Sequence, residues 1–533
     1  MILDLSDLPS DPEQLKGKLI ELASAAEEAA AQRDAVLEEN EKLLFILAEF
    51  KRALFGRRSE KLDPDQLQLI FDLAAAASAT EEAGEAREAP AAAAGKKPRK
   101  PAERNRGKLP EHLPRIEVRI DPEEKTCSCC GGRLHVIGET VSEMLDIVPV
   151  QYRVKRIVRP RYGCRACENA VVQAPAPARP VEGGIATEAL LAAIAVGKFA
   201  WHLPLNRQLR IMRTQGIELD RSTLSQWIAR TAWWLKPLYA LLLASILARP
   251  KIFCDETPMP VFAPGGTRRC QFWAVAVDDR PWAGPAPPAV AYAFATGRKT
   301  EHAMTLLEGF SGVLQVDGYA AYKKLAQTER EGKPITLAFC LAHARRKFFE
   351  FHKQTDSPIA FEALRQIAAI YAIESRIRGM SADDRLAVRQ AESKPLMEAF
   401  KVWAEERLKE VSAKSALAKA IRYTLNHWAG LTVFLADGRA EVDNNTVERD
   451  MRPIGLGRRN SLFAGSENGA GSWAVLASLI NTALLNDIDP QAWLTDVLER
   501  IVSGRTKSHQ LSELLPWNWK AAHAPVQDRK MAA

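Results

Sequence analysis

Three carboxylates and four thiols are the side chains whose types and spacing suggest chemistry. Asp255 stands in KIFCDETP, Asp317 in LQVDGY and Glu448 in NNTVERD. The first two follow short apolar runs that read as buried strands, and ligands gather at the carboxyl ends of strands in an open sheet. If those strands are neighbours, the two acids face each other, and Glu448 on a later helix can supply a third. Hard divalent cations such as Mg²⁺ or Mn²⁺ take oxygen ligands. Two ions about 3.5–4 Å apart need a shared carboxylate with a further acid on each side, an arrangement suited to in-line displacement at phosphorus. Each acid has an ordinary alternative. Glu256 could be the ligand in place of Asp255, and Asp317 before Gly318 could be a turn residue. Asp443 competes with Glu448, but five residues turn a helix through about 500°, so the two cannot share a face. Asp443 or Asn444 better suits a helix cap. Arg449 and Arg452 could hold phosphates or pair with Glu448.

Cys127 and Cys130 form one CxxC pair, and Cys164 and Cys167 another, with a gap of 34 residues between the pairs. Four thiolates on two such knuckles suit one tetrahedral structural Zn²⁺ at about 2.3 Å per sulfur. A module this small has little core, so the metal would supply folding energy. Cys129 is a fifth thiol beside the site and a competitor in the wrong register. Eight cysteines in 533 residues are too few for a disulfide framework.

The elements that must position these groups are legible in outline. From Lys251 the pattern is α/β: a strand over KIFCDETP ending in acids, strands at Phe272 to Val277 and Ala289 to Ala295, a helix at Thr300 to Phe310, a strand at Val313 to Val316, a helix at Tyr319 to Thr328 and a strand at Ile335 to Cys340. The order is βββαβαβ. A long helical stretch, Ile359 to Trp428, follows. DNNTVERDMRP then opens another helix, and helical sequence continues to about Leu515. Upstream, residues 185–248 read as helices. Within them GIELDRSTLSQWIART has a helix-turn-helix cadence, with Gly216 at the turn, Ser222 as a cap, Leu224, Trp227 and Ile228 on one face, and Arg221 and Arg230 available for DNA. Residues 13–56 carry heptads through Leu15, Leu22, Ala29, Val36, Leu43 and Phe50, with Asn40 at an a position, and predict a coiled-coil dimer. An Ala/Glu tract and then GKKPRKPAERNRGK mark a linker over 74–108. Seven basic residues and one acid between Lys96 and Lys108 suit contact with phosphates or a plain solvated tether.

Hydrophobic residues make up 47% and charged residues 26% of the chain, which excludes wholesale disorder. No apolar run approaches the roughly 20 residues of a membrane span. The N-terminus lacks a basic-then-apolar leader, so a cytoplasmic protein is expected. The net charge of +7 permits a nucleic-acid partner without demanding one.

The stretches DETP, VDGYAAY, CLAHARRKF and DNNTVERDMRPIGLGRRNSLFAGSENGA, with the cysteine module, HLPLNRQ, STLSQWI, NDIDPQAWLTDVL and LLPWNWK, resemble the transposases of the insertion sequence 66 family across nearly the whole chain. The resemblance implies a DDE-type transposase on a ribonuclease H-like catalytic core with a helical insertion. Asp255, Asp317 and Glu448 are then its acids, spaced by 62 and 131 residues. It implies metal-dependent cleavage of element ends in double-stranded DNA, joining of the freed 3′-OH to target DNA, and a nucleoid-associated, cytoplasmic location. His343, Arg345, Arg346 and Lys347 could bind the scissile strand, or be a solvated basic helix start. Accessory proteins encoded by the element are possible partners. The expected organisation is multidomain α/β plus α. It comprises a coiled-coil helix (1–73), a basic linker (74–109), a zinc ribbon-like module (110–180) and a helical DNA-binding region (181–248). The catalytic core (249–356) follows, then the helical insertion (357–435), the final core helices (436–485) and a C-terminal segment (486–533). Two other classes make different demands. A tyrosine recombinase would use Tyr319 or Tyr322 as nucleophile without metal. A zinc-dependent DNA-binding regulator would bind DNA without cleaving it.

Overall fold

The computed structural model describes residues 151–163, 171–327 and 334–523. The expected coiled coil, the basic linker and all five cysteines from Cys127 to Cys167 lie outside them. The chain divides into two compact units, one spanning Glu81–Ala174. In that unit, strands β1 (Arg161–Gly163) and β2 (Val171–Gln173) pair antiparallel, Arg161 opposite Gln173. Gln173 Nε2 donates to the Arg159 carbonyl at 2.8 Å and Arg159 Nε donates to the Ala174 carbonyl at 2.9 Å, prolonging the ribbon by side-chain bonds.

The larger unit is mixed α/β. It begins with helices α1 (Glu188–Phe199), α2 (Leu205–Arg213) and α3 (Arg221–Leu247). Gly216 turns the chain between α2 and α3 at a φ of +75°, a conformation open to glycine because it has no Cβ. The expected cap differs. Asp220 occupies the N-cap, and Ser222 lies inside the first turn of α3. Leu224, Trp227 and Ile228 are buried on one face, as their spacing predicts. The second helix then continues for 27 residues, well beyond a short helix-turn-helix.

Five strands follow: β3 (Lys251–Ala263), β4 (Gly266–Val277), β5 (Ala289–Ala295), β6 (Gly312–Val316) and β7 (Ile335–Phe339). Helix α4 (Thr300–Leu306) precedes β6, and α5 (Ala320–Gln327) follows it. The sheet order is β5-β4-β3-β6-β7, antiparallel across the first three strands and parallel across the last three. The βββαβαβ order is therefore the one read from sequence. One strand is longer than expected, since β3 does not end at the acids but continues to Ala263 as a hairpin with β4. Pro258 and Pro260 are compatible with this because of parity. Phe262 N–H donates to the Ala464 carbonyl on the side away from β4. Alternate residues direct their N–H groups to the same side, so neither proline removes a bond from the β3–β4 ladder.

Edge strand β5 is covered rather than left open. Helix α13 (Glu467–Leu485), two helices beyond the insertion described next, runs along it. Ser478 Oγ accepts from Tyr292 N–H at 2.7 Å, and Thr482 Oγ1 accepts from Val290 N–H at 3.1 Å and donates to its carbonyl at 3.0 Å. Asn486 Nδ2 donates to the Pro288 carbonyl at 2.8 Å. Positions 478, 482 and 486 recur every four residues on one helix stripe and satisfy backbone groups that would otherwise template another strand.

After β7 comes α6 (Leu341–Thr355), then the helical insertion: α7 (Pro358–Ile377), α8 (Ala382–Val388), a π-helical turn at Arg389–Ser393, α9 (Lys394–Glu410), α10 (Ala416–Asn426) and the short α11 (Trp428–Leu431). A buried charge network joins its parts. Arg389 donates from Nε and Nη2 to the two oxygens of Glu374 (2.8 and 2.6 Å), and its Nη1 reaches the carbonyls of Phe434 and Asp437. Arg385 bridges Glu374 and Glu441. Helix α12 (Asn445–Ser461) returns the chain to the sheet, where it packs on β3 and β4. Beyond α13 lie α14 (Pro490–Val502) and α15 (Pro516–His523). No helix of the described residues is long and apolar enough to cross a membrane.

Candidate active site

The register of the central strands brings two of the acids together. In the parallel β3–β6 pair, Lys251 lies beside Val313 and Phe253 beside Gln315, an offset of 62 residues. Asp255 and Asp317 have that same separation, so continuing the register by two residues sets them side by side. Partners at equal register on parallel strands share a face. Pairing with β6 has ended there, and Asp255 is held on its other side opposite Ala274 of β4. Thus Asp255 sits within a strand and not after one, at the point where the neighbouring strand stops.

Asp317 does form a turn as well. Its Oδ1 accepts from Tyr319 N–H at 2.8 Å, and Tyr423 Oη donates to its carbonyl at 3.1 Å. Gly318 has a φ of +96°, and a Cβ there would come within 3.2 Å of the His427 ring. The turn fixes one carboxylate oxygen and leaves Oδ2 outside it.

Glu448 lies near enough for its charge to act on Asp255, and the segment before α12 is stitched to three strands. Gln315, buried in β6, donates from Nε2 to the carbonyls of Glu441 (2.8 Å) and Asp443 (3.3 Å) and accepts from Glu441 N–H (2.8 Å). Asn444 Nδ2 donates to the Cys254 carbonyl of β3 at 3.3 Å, and Asn444 N–H donates to Cys340 Sγ, just past β7, at 3.2 Å. Leu341 N–H donates to the Val442 carbonyl at 3.0 Å. Asp443 accepts from Asn445 N–H (3.1 Å) and Asn445 Nδ2 (2.8 Å), a turn just ahead of α12, whose N-cap position is held by Asn444 without a side-chain cap bond. Burial pushes the Asp443 carboxyl up to about 6.

Electrostatics tie the cluster together. Asp255 is held well above the usual carboxylate range, first by burial and then by the negative charges of Glu256, Asp317 and Glu448. Glu256 is already engaged. Its side chain is buried, accepts from Tyr322 Oη at 2.8 Å and from Arg298 Nε at 2.7 Å, and follows Asp255 on the strand, so it points to the opposite face. Burial nevertheless raises its pKa. Tyr322 is buried against Glu256, and Tyr319 Oη donates to the Arg298 carbonyl at 3.0 Å, so both hydroxyls have structural partners.

The expected DNA-contacting residues divide. Arg221, Lys347, Arg449 and Arg452 are exposed, and Arg346 is half-buried. Arg230 donates to the Pro180 carbonyl at 3.3 Å and lies over the Trp233 ring, so it is partly occupied. Arg345 is a correction: it is buried on the inner face of α6 with Ala344 and Phe348, and it cannot meet a DNA strand there. His343 is half-buried and directs Nδ1 toward Glu448 Oε1 at 4.0 Å. Sequence reading missed Gln315 and Asn444 as positioning groups. A lone Gln in the apolar run VLQV was the available signal, since buried amides must find partners.

The comparisons with known proteins place the chain in a class of transposase-related proteins. The profile described as transposase IS66 family matches residues 183–472, and that of the zinc-finger binding domain of transposase IS66 matches 124–168, a span containing all four CxxC cysteines. A profile described as transposase C of IS166 homeodomain matches 42–118, and the IS66 C-terminal element matches 478–517. The chain belongs to the IS66 transposase family. Among similar proteins are three from Sinorhizobium fredii (strain NBRC 101917 / NGR234). Uncharacterized protein y4jD is 51% identical, covering 98% of this chain and 99% of that protein. Uncharacterized protein y4qI is 40% identical with the same coverage, and uncharacterized protein y4hP is 40% identical over 90% of this chain and 88% of its own length.

Proposed function

We propose that this chain is a DNA transposase that cleaves element ends and joins the freed 3′-OH to target DNA, with Asp255, Asp317 and Glu448 as its DDE triad. The observation that carries the reading is the 62-residue offset of the β3–β6 register, which is also the spacing of Asp255 and Asp317, two residues beyond the last paired residues. The sheet order and the helix bearing Glu448 support a ribonuclease H-like core with an insertion between β7 and α12.

The donor set fits divalent metal. Asp255 carries the repulsion of three neighbouring acids, and the guanidinium of Arg298 is spent on Glu256. Mg²⁺ or Mn²⁺ bound there, as two ions, would supply charge neutralisation at both the attacking and the leaving oxygens of an in-line displacement. The residues of the chain do the rest. Asp255 and Asp317 present carboxylates from adjacent strands. Glu448 is the third acid in this reading, on a helix whose approach is fixed by the Gln315 and Asn444 bonds. The exposed Lys347, Arg449, Arg452 and Arg221, with Arg346, hold phosphates in this reading, and neutralising phosphates supplies most DNA affinity. No protein–DNA covalent bond is needed, in keeping with the engaged hydroxyls of Tyr319 and Tyr322. The cysteine module takes one structural Zn²⁺ through Cys127, Cys130, Cys164 and Cys167, and residues 13–56 join two protomers as a coiled coil.

The test is cleavage of labelled element-end DNA by the purified full-length protein. Nicking and joining are expected with Mg²⁺ or Mn²⁺ and not with chelator. Sequence-specific binding without cleavage under both conditions would favour a DNA-binding regulator instead.

A further inference from the structure

Beside the acidic cluster lies a second donor set of different chemistry. Cys340 precedes the first turn of α6, His343 stands within that turn, and Glu448 lies in the first turn of α12. One atom from each, Sγ, a ring nitrogen and a carboxylate oxygen, falls within 4.8 Å of the others. His343 Nδ1 is buried and has no hydrogen-bond partner among the described residues. Its nearest charged neighbour is Glu448 Oε1 at 4.0 Å. An unpartnered buried ring nitrogen calls for an explanation, and a role as a metal ligand is one. The two helix starts are also fixed in relation to each other, because Asn444 N–H donates to Cys340 Sγ and Leu341 N–H donates to the Val442 carbonyl.

We infer that Cys340, His343 and Glu448 form a binding site for one thiophilic divalent cation of the Zn²⁺ class, distinct from the cysteine module and sharing Glu448 with the proposed DDE centre. Sulfur, imidazole nitrogen and carboxylate oxygen are the three ligand types that zinc takes. Mg²⁺ and Ca²⁺, which want oxygen alone, are poorly served by this set. At bond lengths of about 2.0–2.3 Å, tetrahedral ligands stand roughly 3.6 Å apart. The donors therefore need to close by about an ångström, which rotation of the half-exposed Glu448 and His343 side chains can supply. Three protein ligands leave a fourth position open. Those two side chains, each 25% exposed, give the ion a way in. On binding, the Cys340 thiol releases its proton to solvent and sulfur binds as thiolate. The Asn444 N–H already directed at Sγ is the kind of outer bond that orients a ligand. A filled site withdraws Glu448 from Asp255 and Asp317. That consequence depends on the DDE reading, whereas the binding itself does not.

Co²⁺ titration of the full-length protein tests the site, because a cobalt thiolate absorbs in the near ultraviolet. Wild type, Cys340→Ser and His343→Gln are prepared identically, so that the cysteine module contributes equally to all three. Wild type should take up one more equivalent than either variant and show charge-transfer absorption that both lack. Glu448→Gln should bind that equivalent at least about 10-fold more weakly. Asp255→Asn removes no donor and should keep both the equivalent and the band whether or not it abolishes cleavage, so failure of the DDE reading is distinguishable. Should Cys340→Ser fold poorly by circular dichroism, the half-exposed His343→Gln carries the comparison. Equal uptake and equal spectra in wild type and folded variants would overturn the proposal.

Discussion

One amide, Gln315, holds much of the site together. It bonds Glu441 in both directions and the Asp443 carbonyl besides, and these residues lead into the helix of Glu448. Leucine keeps its volume but strands buried backbone groups, at about 1–3 kcal/mol. Gln315→Leu should therefore cut DNA cleavage by roughly 10- to 100-fold, since an ångström of misplacement can cost that much, with DNA affinity nearly unchanged. Parallel rate and binding measurements check this, and an equal loss of both would point to global damage. Lys251 is another single-residue case. Its ammonium lies buried over the Phe253 ring, without a hydrogen-bond partner among the described residues. Burial pulls its pKa from 10.5 down to about 8, against the opposing pull of Glu441 and Asp279. Between those values the unfolded chain keeps a proton that the folded chain has lost, so stability contributed by this group rises with pH. Below about 8 the folded state carries the burden of a buried charge. Lys251→Met should thus be more stable than wild type near pH 7, by up to roughly 3 kcal/mol, and the gap should narrow toward pH 10. Denaturant melts at the two pH values measure it, and a gap that widens would contradict the assignment.

Elements were legible where periodicity was strong and less so where polar side chains decide. The βββαβαβ order and the long helical insertion follow from apolar runs and their lengths. The extension of β3 through Pro258 and Pro260 was hidden, because prolines argue against a strand until the side to which their missing N–H groups point is known. The burial of Arg345 was hidden too, since CLAHARRKF reads as a basic helix start until Ala344, Arg345 and Phe348 are seen to share the inner face of α6. The 62-residue spacing of Asp255 and Asp317 was present in the sequence, but only the strand register, which has the same offset, gives that spacing meaning. The insertion shows a similar limit. Its helices were evident, whereas the charges that lock them lie far apart in sequence. Arg389 is fully buried between Glu374 and three backbone carbonyls. Arg389→Met leaves buried Glu374 with Arg385 in place of two guanidinium partners and takes the donor from three backbone carbonyls, and should destabilise the chain by about 3 kcal/mol. Thermal unfolding reads this directly, and a change below about 1 kcal/mol would show that the network is dispensable.

At the scale of the whole molecule, the chain belongs to the IS66 transposase family, and the roles proposed for the cysteine module and the acidic core can be separated by mutation. Metal analysis should find Zn²⁺ held by the cysteine module and lost on Cys164→Ser, with weakened DNA binding as the consequence. Retention of that zinc in the variant would remove Cys164 from the ligand set. The core should be separable in the opposite sense, with chemistry lost and binding kept. Carboxylate-to-amide changes preserve shape while removing charge from the proposed metal shell, and should slow the reaction by about 10³-fold or more. DNA affinity comes mainly from basic residues and should hardly fall. The most direct measurement is therefore Mg²⁺-dependent nicking and joining of element-end DNA by Asp255→Asn, Asp317→Asn, Glu448→Gln and the turn variant Asp443→Asn, each alongside its DNA affinity. The first three should bind normally and neither nick nor join, while Asp443→Asn retains measurable activity. Wild-type cleavage by Asp317→Asn would contradict the DDE mechanism, and an inactive Asp443→Asn beside an active Glu448→Gln would contradict the assignment of the third acid.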